Sequence, residues 1–288
     1  MQCVDRSGNI IKQNEAQDRI LKILYKNKLG RILLKQLVKP WVSSVSGVIL
    51  SSSCSRGLIP PFIKRNNINM AEYEERSFLS YNDFFTRRIK EGQRTVDHQP
   101  DHLIAPCDSK LSVYSITKDS HFIIKNTQYT LHSLLKNKKL ADYYEGGVLL
   151  LFRLSVDDYH RYCYIDNGRK SKNYHIKGVF HTVNPIANQV LPVYKENTRE
   201  FSVMDTENFG RILVMEIGAM LVGKIVNYHE DAIVQRGEEK GRFEFGGSSI
   251  IILLEKDRAV IDEDIRNNSA NGTETMVKLG ERIGEGQL

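Results

Sequence analysis

The sequence predicts an α+β fold: a mainly antiparallel β-sheet core, sandwich- or barrel-like, preceded by amphipathic N-terminal helices. Three observations carry this expectation. After residue 102 the chain is crowded with short runs of Val, Ile, Leu and Tyr, bounded by Gly, Asn or Asp. Helical patterns do not alternate with these runs, which disfavours a doubly wound parallel sheet. Before residue 102 the apolar residues recur with helical periodicity instead. A chain of 288 residues with 41% apolar content can bury a substantial core, as one large domain or as a core with an appended segment. The expected boundary separates a helical region, 1–100, from a β-rich domain, 101–288.

The first helical stretch spans residues 17–39. Ile20, Leu21, Ile23 and Leu24, then Ile32, Leu33, Leu34, Leu37 and Val38, fall on one side, with lysines and arginines between them. Gly30 divides it into two helices. Such a basic amphipathic pattern either lies in a membrane interface or packs as a helical pair on the protein's own core. Residues 29–50 are the most apolar early stretch. They carry Arg31, Lys35, Lys39 and Pro40, and so do not form a membrane span. Pro60-Pro61 breaks the pattern. Residues 81–90 read as a helix capped near Ser80 or Asn82 and ending in cations. Residues 91–101 are polar and read as a linker.

Strands are expected at 111–116, 121–124, 147–154, 211–217, 221–226 and 250–254, with a helix at 131–144 between the second and third. No internal repeat or low-complexity tract occurs. The N-terminus lacks the charged and apolar regions of a signal peptide, and Gln2 rules out a myristoylation start. The net charge of +6 points to an anionic partner, nucleic acid or an acidic membrane. Zinc-finger spacing, an RNP-type aromatic motif and a long basic run are all missing, so the nucleic-acid class is disfavoured. Cys3, Cys54, Cys107 and Cys163 form no C-x-x-C pair, which argues against a zinc site and for reduced thiols.

Three stretches can carry chemistry. In Ala105-Pro-Cys-Asp-Ser-Lys-Leu111, Asp108 stands between a Pro turn and a strand, where an Asp is either an Asx-turn acceptor or a functional carboxylate. In Phe152-Arg-Leu-Ser-Val-Asp-Asp-Tyr-His-Arg-Tyr-Cys163, His160 follows the most apolar strand, where loops gather functional residues. The third is Phe245-Gly-Gly-Ser-Ser249. Glycines permit backbone geometries closed to other residues, so the Ser248 hydroxyl can reach the carbonyl of Gly247. A histidine oriented by an aspartate would accept its proton. Taken alone, Gly-Gly-Ser is a linker sequence.

Taken together and in this order, the blocks resemble the phosphatidylserine decarboxylases, pyruvoyl-dependent enzymes, from about Ser80 to the C-terminus. Asn82-Asp-Phe-Phe-Thr-Arg-Arg and Gln93-Arg-Thr-Val-Asp are similar to two conserved stretches of that family. Pro106-Cys-Asp-Ser, Asp158-Tyr-His-Arg-Tyr, Thr182-Val-Asn-Pro185 and Asn197-Thr-Arg-Glu match four more, and Gly246-Gly247-Ser248-Ser249 resembles its cleavage site. The resemblance implies a self-processing carboxy-lyase that converts phosphatidylserine to phosphatidylethanolamine and carbon dioxide. Autocatalytic serinolysis between Gly247 and Ser248 would turn Ser248 into a covalent pyruvoyl group, which forms a Schiff base with the lipid amine; no metal is implied. Asp108, His160, Ser248 and His181 are the implied catalytic set, and Tyr159, Arg161, Asn184 and Gly246 the implied substrate-binding set. Residues 1–100 become a membrane-associating region and 101–288 the catalytic domain. The implied setting is the cytoplasmic face of the cell membrane, bound peripherally to anionic phospholipid and not to nucleic acid. The implied assembly is a homodimer, each protomer a heterodimer of the two cleavage products.

The chain departs from the family at Cys163, where many members carry a second histidine that serves self-cleavage. His160 then does both jobs, or His181 or Cys163 itself supplies the base. Three rival readings stand: a pyruvoyl decarboxylase of another amine, a lipid-binding homologue that never matures, and a serine hydrolase. The G-x-S-x-G elbow common in the last class is missing.

Overall fold

The apolar runs after residue 102 pair into sheets whose two faces are both covered. The computed structural model describes residues 2–11, 23–25, 27–117, 119, 121–124, 127–184, 187, 192–219, 224–244 and 248–287. The N-terminal part contains β1 (Cys3–Val4), α1 (Lys28–Leu37), α2 (Pro40–Ser51), α3 (Ile59–Asn66) and α4 (Tyr81–Phe85). The chain continues with β2 (His102–Ile104), β3 (Ser109–Ser115), β4 (His121–Ile124), β5 (Thr127–Thr130), α5 (Leu131–Leu135), α6 (Lys138–Tyr143) and β6 (Val148–Leu154). Next come β7 (Arg161–Cys163), β8 (Gly168–Lys170), β9 (Tyr174–Ile176), α7 (Val193–Glu196), β10 (Arg199–Thr206) and β11 (Arg211–Ile217). The last part holds β12 (Lys224–Asn227), β13 (Ala232–Val234), β14 (Glu239–Glu244), β15 (Ser248–Leu254), β16 (Ala259–Ile261), α8 (Glu263–Ala270), β17 (Glu274–Val277) and β18 (Arg282–Gly286).

The main sheet runs β1-β17-β3-β6-β15-β11-β10-β8-β13, with β9 also paired to β10. Only the β1–β17 edge is parallel. Smaller sheets, β12-β14-β7, β16-β18-β2 and β4-β5, accompany it. Among the described residues no sheet closes into a barrel, so the layered alternative is the one that forms. Alternation explains the layers, because successive strand residues face opposite sides. Leu149, Leu151, Leu213, Met215, Ile251 and Leu253 join one core with α5, α6 and Leu34 of α1. Leu150, Phe152, Leu154, Ile212, Val214, Ile250 and Ile252 join a second core, which includes residues of the two three-stranded sheets. A third, smaller core of Ile59, Tyr81, Phe84 and Phe85 ties α3 to α4.

Several expectations meet a local correction. The helix expected at 131–144 is two helices. Lys136 sits in the left-handed region at φ 52°, and Asn137 caps a fresh helix by accepting from the Leu140 N–H at 3.2 Å. The helix expected at 81–90 stops at Phe85. Its cap is Ser80, whose Oγ accepts from Asp83 N at 3.1 Å. Beyond it Arg87 turns inward and Ile89 bridges to Tyr73. The polar stretch 91–101 is fastened rather than free: Arg236 donates to the carbonyls of Asp97, Gln99, Pro100 and His102. Within 1–100, Cys3–Val4 is strand and belongs to the main sheet. Residues 17–22 and 26 of the first expected helix and 221–223 of the fifth expected strand lie outside the described residues.

Candidate active site

The site forms where β15 begins. Ser248 is its first residue, opposite Leu154 of β6, and Ser249 is flanked by Arg153 of β6 and Ile217 of β11. All seven residues of β15 are buried. The preceding described element, β14, belongs to a different sheet, so the chain passes from one sheet to the other between Glu244 and Ser248. Gly246 and Gly247 lie outside the described residues.

His160 reaches Ser248 from the turn that follows β6. Ser248 Oγ and His160 Nδ1 are 3.4 Å apart, and neither residue has exposed surface. His160 Nε2 lies 2.9 Å from the backbone carbonyl of Ser155. A carbonyl oxygen only accepts, so Nε2 carries the proton and Nδ1 presents a lone pair to the serine hydroxyl. Phe85 stacks on the imidazole with ring centroids 4.2 Å apart. Burial first, and the neighbouring cations Arg87 and Lys110 with it, drive His160 from its ordinary 6.5 down to about 3. The imidazole is therefore neutral at any physiological pH, as a proton acceptor must be.

The expected aspartate does not touch this pair. Asp108 is buried, but its carboxylate accepts from Arg94 Nε at 3.0 and 3.1 Å and Arg94 Nη2 at 2.5 Å, and from the Leu279 N–H at 2.9 Å. Lys278 lies 3.7 Å away. The third place of a Ser-His-Asp set is taken by a backbone oxygen.

His181 belongs to a separate cluster. Its Nδ1 is 3.3 Å from the Tyr25 hydroxyl and its Nε2 is 3.5 Å from Glu196, and burial lowers its proton affinity. Asn197 brackets it, accepting from its N–H and donating to its carbonyl and to that of Gly218, just past β11. Asn184 donates its backbone N–H to Thr182 Oγ1 at 3.2 Å. Cys163 sits on β7, its N–H on the Pro106 carbonyl at 2.9 Å. Burial pushes its thiol up to about 12, so it stays protonated. Tyr159, Arg161 and Cys163 line a cleft of about 260 Å³ together with Lys90, Arg94 and Leu279. Arg161 pairs there with Glu239 and donates to Tyr228 and to the Thr86 carbonyl.

Sequence reasoning passed over several residues around the pair. Arg87 is buried between the rings of Tyr73 and Phe84, at 4.2 and 4.8 Å, and donates to the Tyr73 hydroxyl and the Asp157 carbonyl. Lys110 ion-pairs with Asp158 at 2.5 Å, and Arg153 with Glu274 at 2.5 Å, all four nearly solvent-free. Burial lowers the proton affinity of Lys110, but the Asp158 and Asp157 carboxylates outweigh it and keep the ammonium charged. Ser249 Oγ is buried with no hydrogen-bond partner among the described residues. Arg87 lay within the quoted Phe-Phe-Thr-Arg stretch and Lys110 within Asp-Ser-Lys, so a basic residue beside an aromatic or acidic motif was the available signal.

A family model described as phosphatidylserine decarboxylase matches residues 81–285. The chain is 46% identical over 266 residues to a phosphatidylserine decarboxylase proenzyme 2 of Clostridium acetobutylicum, covering 92% of this chain and 91% of that protein. It is 37% identical over 279 residues to a phosphatidylserine decarboxylase proenzyme of Clostridium botulinum, covering 95% and 94%. A proenzyme of the same description from Fusobacterium nucleatum is 35% identical over 285 residues, covering 97% and 95%.

Proposed function

The chain belongs to the phosphatidylserine decarboxylase family, and from that premise we propose how its own residues mature it and carry its reaction. It converts phosphatidylserine to phosphatidylethanolamine with loss of carbon dioxide, and it is a self-processing carboxy-lyase. The cut falls between Gly247 and Ser248. Ser248 Oγ attacks the Gly247 carbonyl carbon while its proton passes to His160 Nδ1. The carbon–nitrogen bond breaks as that proton is passed on to the Ser248 nitrogen, and the amide becomes an ester. Elimination removes the Ser248 Cα proton and breaks the Cβ–Oγ bond, which frees Gly247 as a carboxylate; water then adds to the resulting enamine in its imine form and ammonia leaves, so that residue 248 becomes the pyruvoyl end of the 248–288 piece. One observation carries this reading: His160 spends Nε2 on the Ser155 carbonyl and points Nδ1 at Ser248.

The surroundings of Ser248 suit such a group. The position is fully buried, its strand is held by β6 and β11, and no charged side chain among the described residues is hydrogen-bonded to it. The group supplies a ketone that captures the substrate amine and withdraws electrons from the bond to the carboxylate. His160 takes a second duty: its Nδ1 lone pair accepts the proton that the substrate ammonium gives up and returns it to the carbon that loses carbon dioxide. We assign headgroup binding to Tyr159 and Arg161. Supporting this, Lys90 and Arg94 line the same cleft with charge opposite to the lipid's phosphate and carboxylate.

Contact with an anionic membrane, on its cytoplasmic face, falls to the N-terminal helices. Trp41, Val45, Val48 and Ile49 are exposed along one side of α2, at spacings of four, three and one residues. Leu58 and Leu79 are exposed as well. No helix among the described residues is long and apolar enough to cross a membrane, so the contact is peripheral. The deciding experiment is a decarboxylation assay on phosphatidylserine vesicles. Wild type should release carbon dioxide and leave phosphatidylethanolamine, and Ser248→Ala should release none. Equal release from both would contradict the proposal.

A further inference from the structure

With Asp108 committed to Arg94 and Cys163 standing where the family carries its second histidine, something else must fix the orientation of His160. The candidates are few because the imidazole is fully buried. Its Nε2 proton goes to the Ser155 carbonyl at 2.9 Å, and that carbonyl is itself immobilised. Ser155 and Asp158 close a turn in both directions. The Asp158 N–H donates to the Ser155 carbonyl at 3.0 Å, and the Ser155 N–H donates to Asp158 Oδ2 at 2.6 Å. The carboxylate that anchors the turn is gripped by Lys110 Nζ at 2.5 and 2.8 Å. Lys110 is rigid in turn, as a residue of β3 paired with Arg153 of β6, and it is 5% exposed. Arg153 closes the ring by donating to Ser155 Oγ at 3.2 Å.

We propose that the Lys110–Asp158 ion pair arms self-cleavage: by fixing the Ser155 carbonyl on Nε2, it keeps the Nδ1 lone pair of His160 turned toward Ser248. Lys110 and Asp158 are positioning residues; neither touches the reacting atoms. Without the pair the turn is free to rotate its carbonyl away, and the imidazole can change tautomer or flip. The maturation machinery of this chain is then a Ser-His dyad oriented by a backbone oxygen, and the ion pair does the work that a carboxylate does directly in a triad.

The proposal rests on the reading that Ser248 cuts its own chain, and the test separates the two. The uncut Ser248→Ala chain allows the tautomer of His160 to be read by ¹⁵N-histidine NMR. The expected signature is a proton on Nε2 and none on Nδ1, and adding Asp158→Asn should give a mixture. With Ser248 restored, Asp158→Asn and Lys110→Met should each cut about a hundredfold more slowly, the order expected for a misplaced catalytic group, with the circular-dichroism spectrum unchanged. A proton on Nδ1 in the Ser248→Ala chain, or wild-type cutting by either folded variant, overturns the proposal. If one variant fails to fold, the other and the tautomer still decide. A wild-type chain that is never cut refutes the self-cleavage reading itself.

Discussion

His160 has two ring nitrogens with opposite assignments, and burial decides when they can be used. The side chain stays neutral in the fold down to about pH 3 and takes up a proton near 6.5 once unfolded. The unfolded chain thus binds one more proton between those values. Stability should be unaffected by His160 above pH 6.5 and should fall by about 1.4 kcal/mol per unit as pH drops from 6.5 toward 3. Denaturant melts of the Ser248→Ala chain and of its His160→Gln derivative across that range would check this, since the former should be steeper by that amount, the other titrating groups being common to both. The same neutrality makes self-cleavage flat in rate between pH 5 and 8 as far as His160 is concerned. A rise with midpoint near 6.5 would contradict a buried base. His160→Gln should slow cleavage by about a hundredfold or more, whereas Cys163→Ala should leave it within about twofold, because its thiol has no contact with Ser248 and stays protonated. The sequence offered Ser248 and His160 as candidates, because a nucleophile and a base need particular side chains, and the fold brings the two together. The Ser155 carbonyl was not, since a backbone acceptor has no residue identity. Nor was the Lys110–Asp158 pair, which joins positions 48 apart in the chain.

The cut proposed at Ser248 would remove the peptide bond in front of strand β15. The strand is placed to keep its position because it is central: β6 holds one edge, β11 the other, and every residue is buried. Each buried aliphatic residue there contributes roughly 1.5–3 kcal/mol, and a truncation adds the cost of a cavity. Ile252→Ala should destabilise the Ser248→Ala chain by about 3 kcal/mol, read by urea denaturation, and a change below about 1 kcal/mol would mean the strand is not packed as described. This element was readable from its apolar run. Strand β14, Glu239–Glu244, was not, because its sequence is mostly charged. Its burial depends on distant partners such as Glu216, which takes Lys240 at 2.7 Å. The division of residues 131–144 into α5 and α6 was equally hidden, since it turns on one left-handed residue, Lys136. At α2 the exposed stripe of Trp41, Val45, Val48 and Ile49 gives a further expectation. Val48→Asp should weaken binding to phosphatidylserine vesicles by about tenfold and leave self-cleavage unchanged. Undiminished binding in flotation assays would remove α2 from the membrane contact.

At the scale of the whole molecule, the N-terminal region is sewn to the β-rich body. β1 extends the main sheet, and Arg6 pairs with Asp262, Asp264 and Glu281. Removing the first segments would therefore damage the sheet as well as the proposed membrane contact, and point substitutions on α2 are the cleaner probe. The net charge of +6 would add a salt-sensitive attraction to anionic lipid in that proposal. The cut proposed between β14 and β15 would divide the chain without dividing the fold. β15, β17 and β18, on its C-terminal side, are paired with β6, β11, β3 and β2 on the other. Central to the whole account is that Ser248 cuts its own chain, and an intact mass spectrum of the purified protein beside Ser248→Ala tests it most directly. Two pieces parting between Gly247 and Ser248 are predicted, the smaller ending in a carbonyl-containing group rather than a free amine, with the Ser248→Ala chain intact. A single uncut chain in both would contradict the account and leave a lipid-binding homologue that never matures.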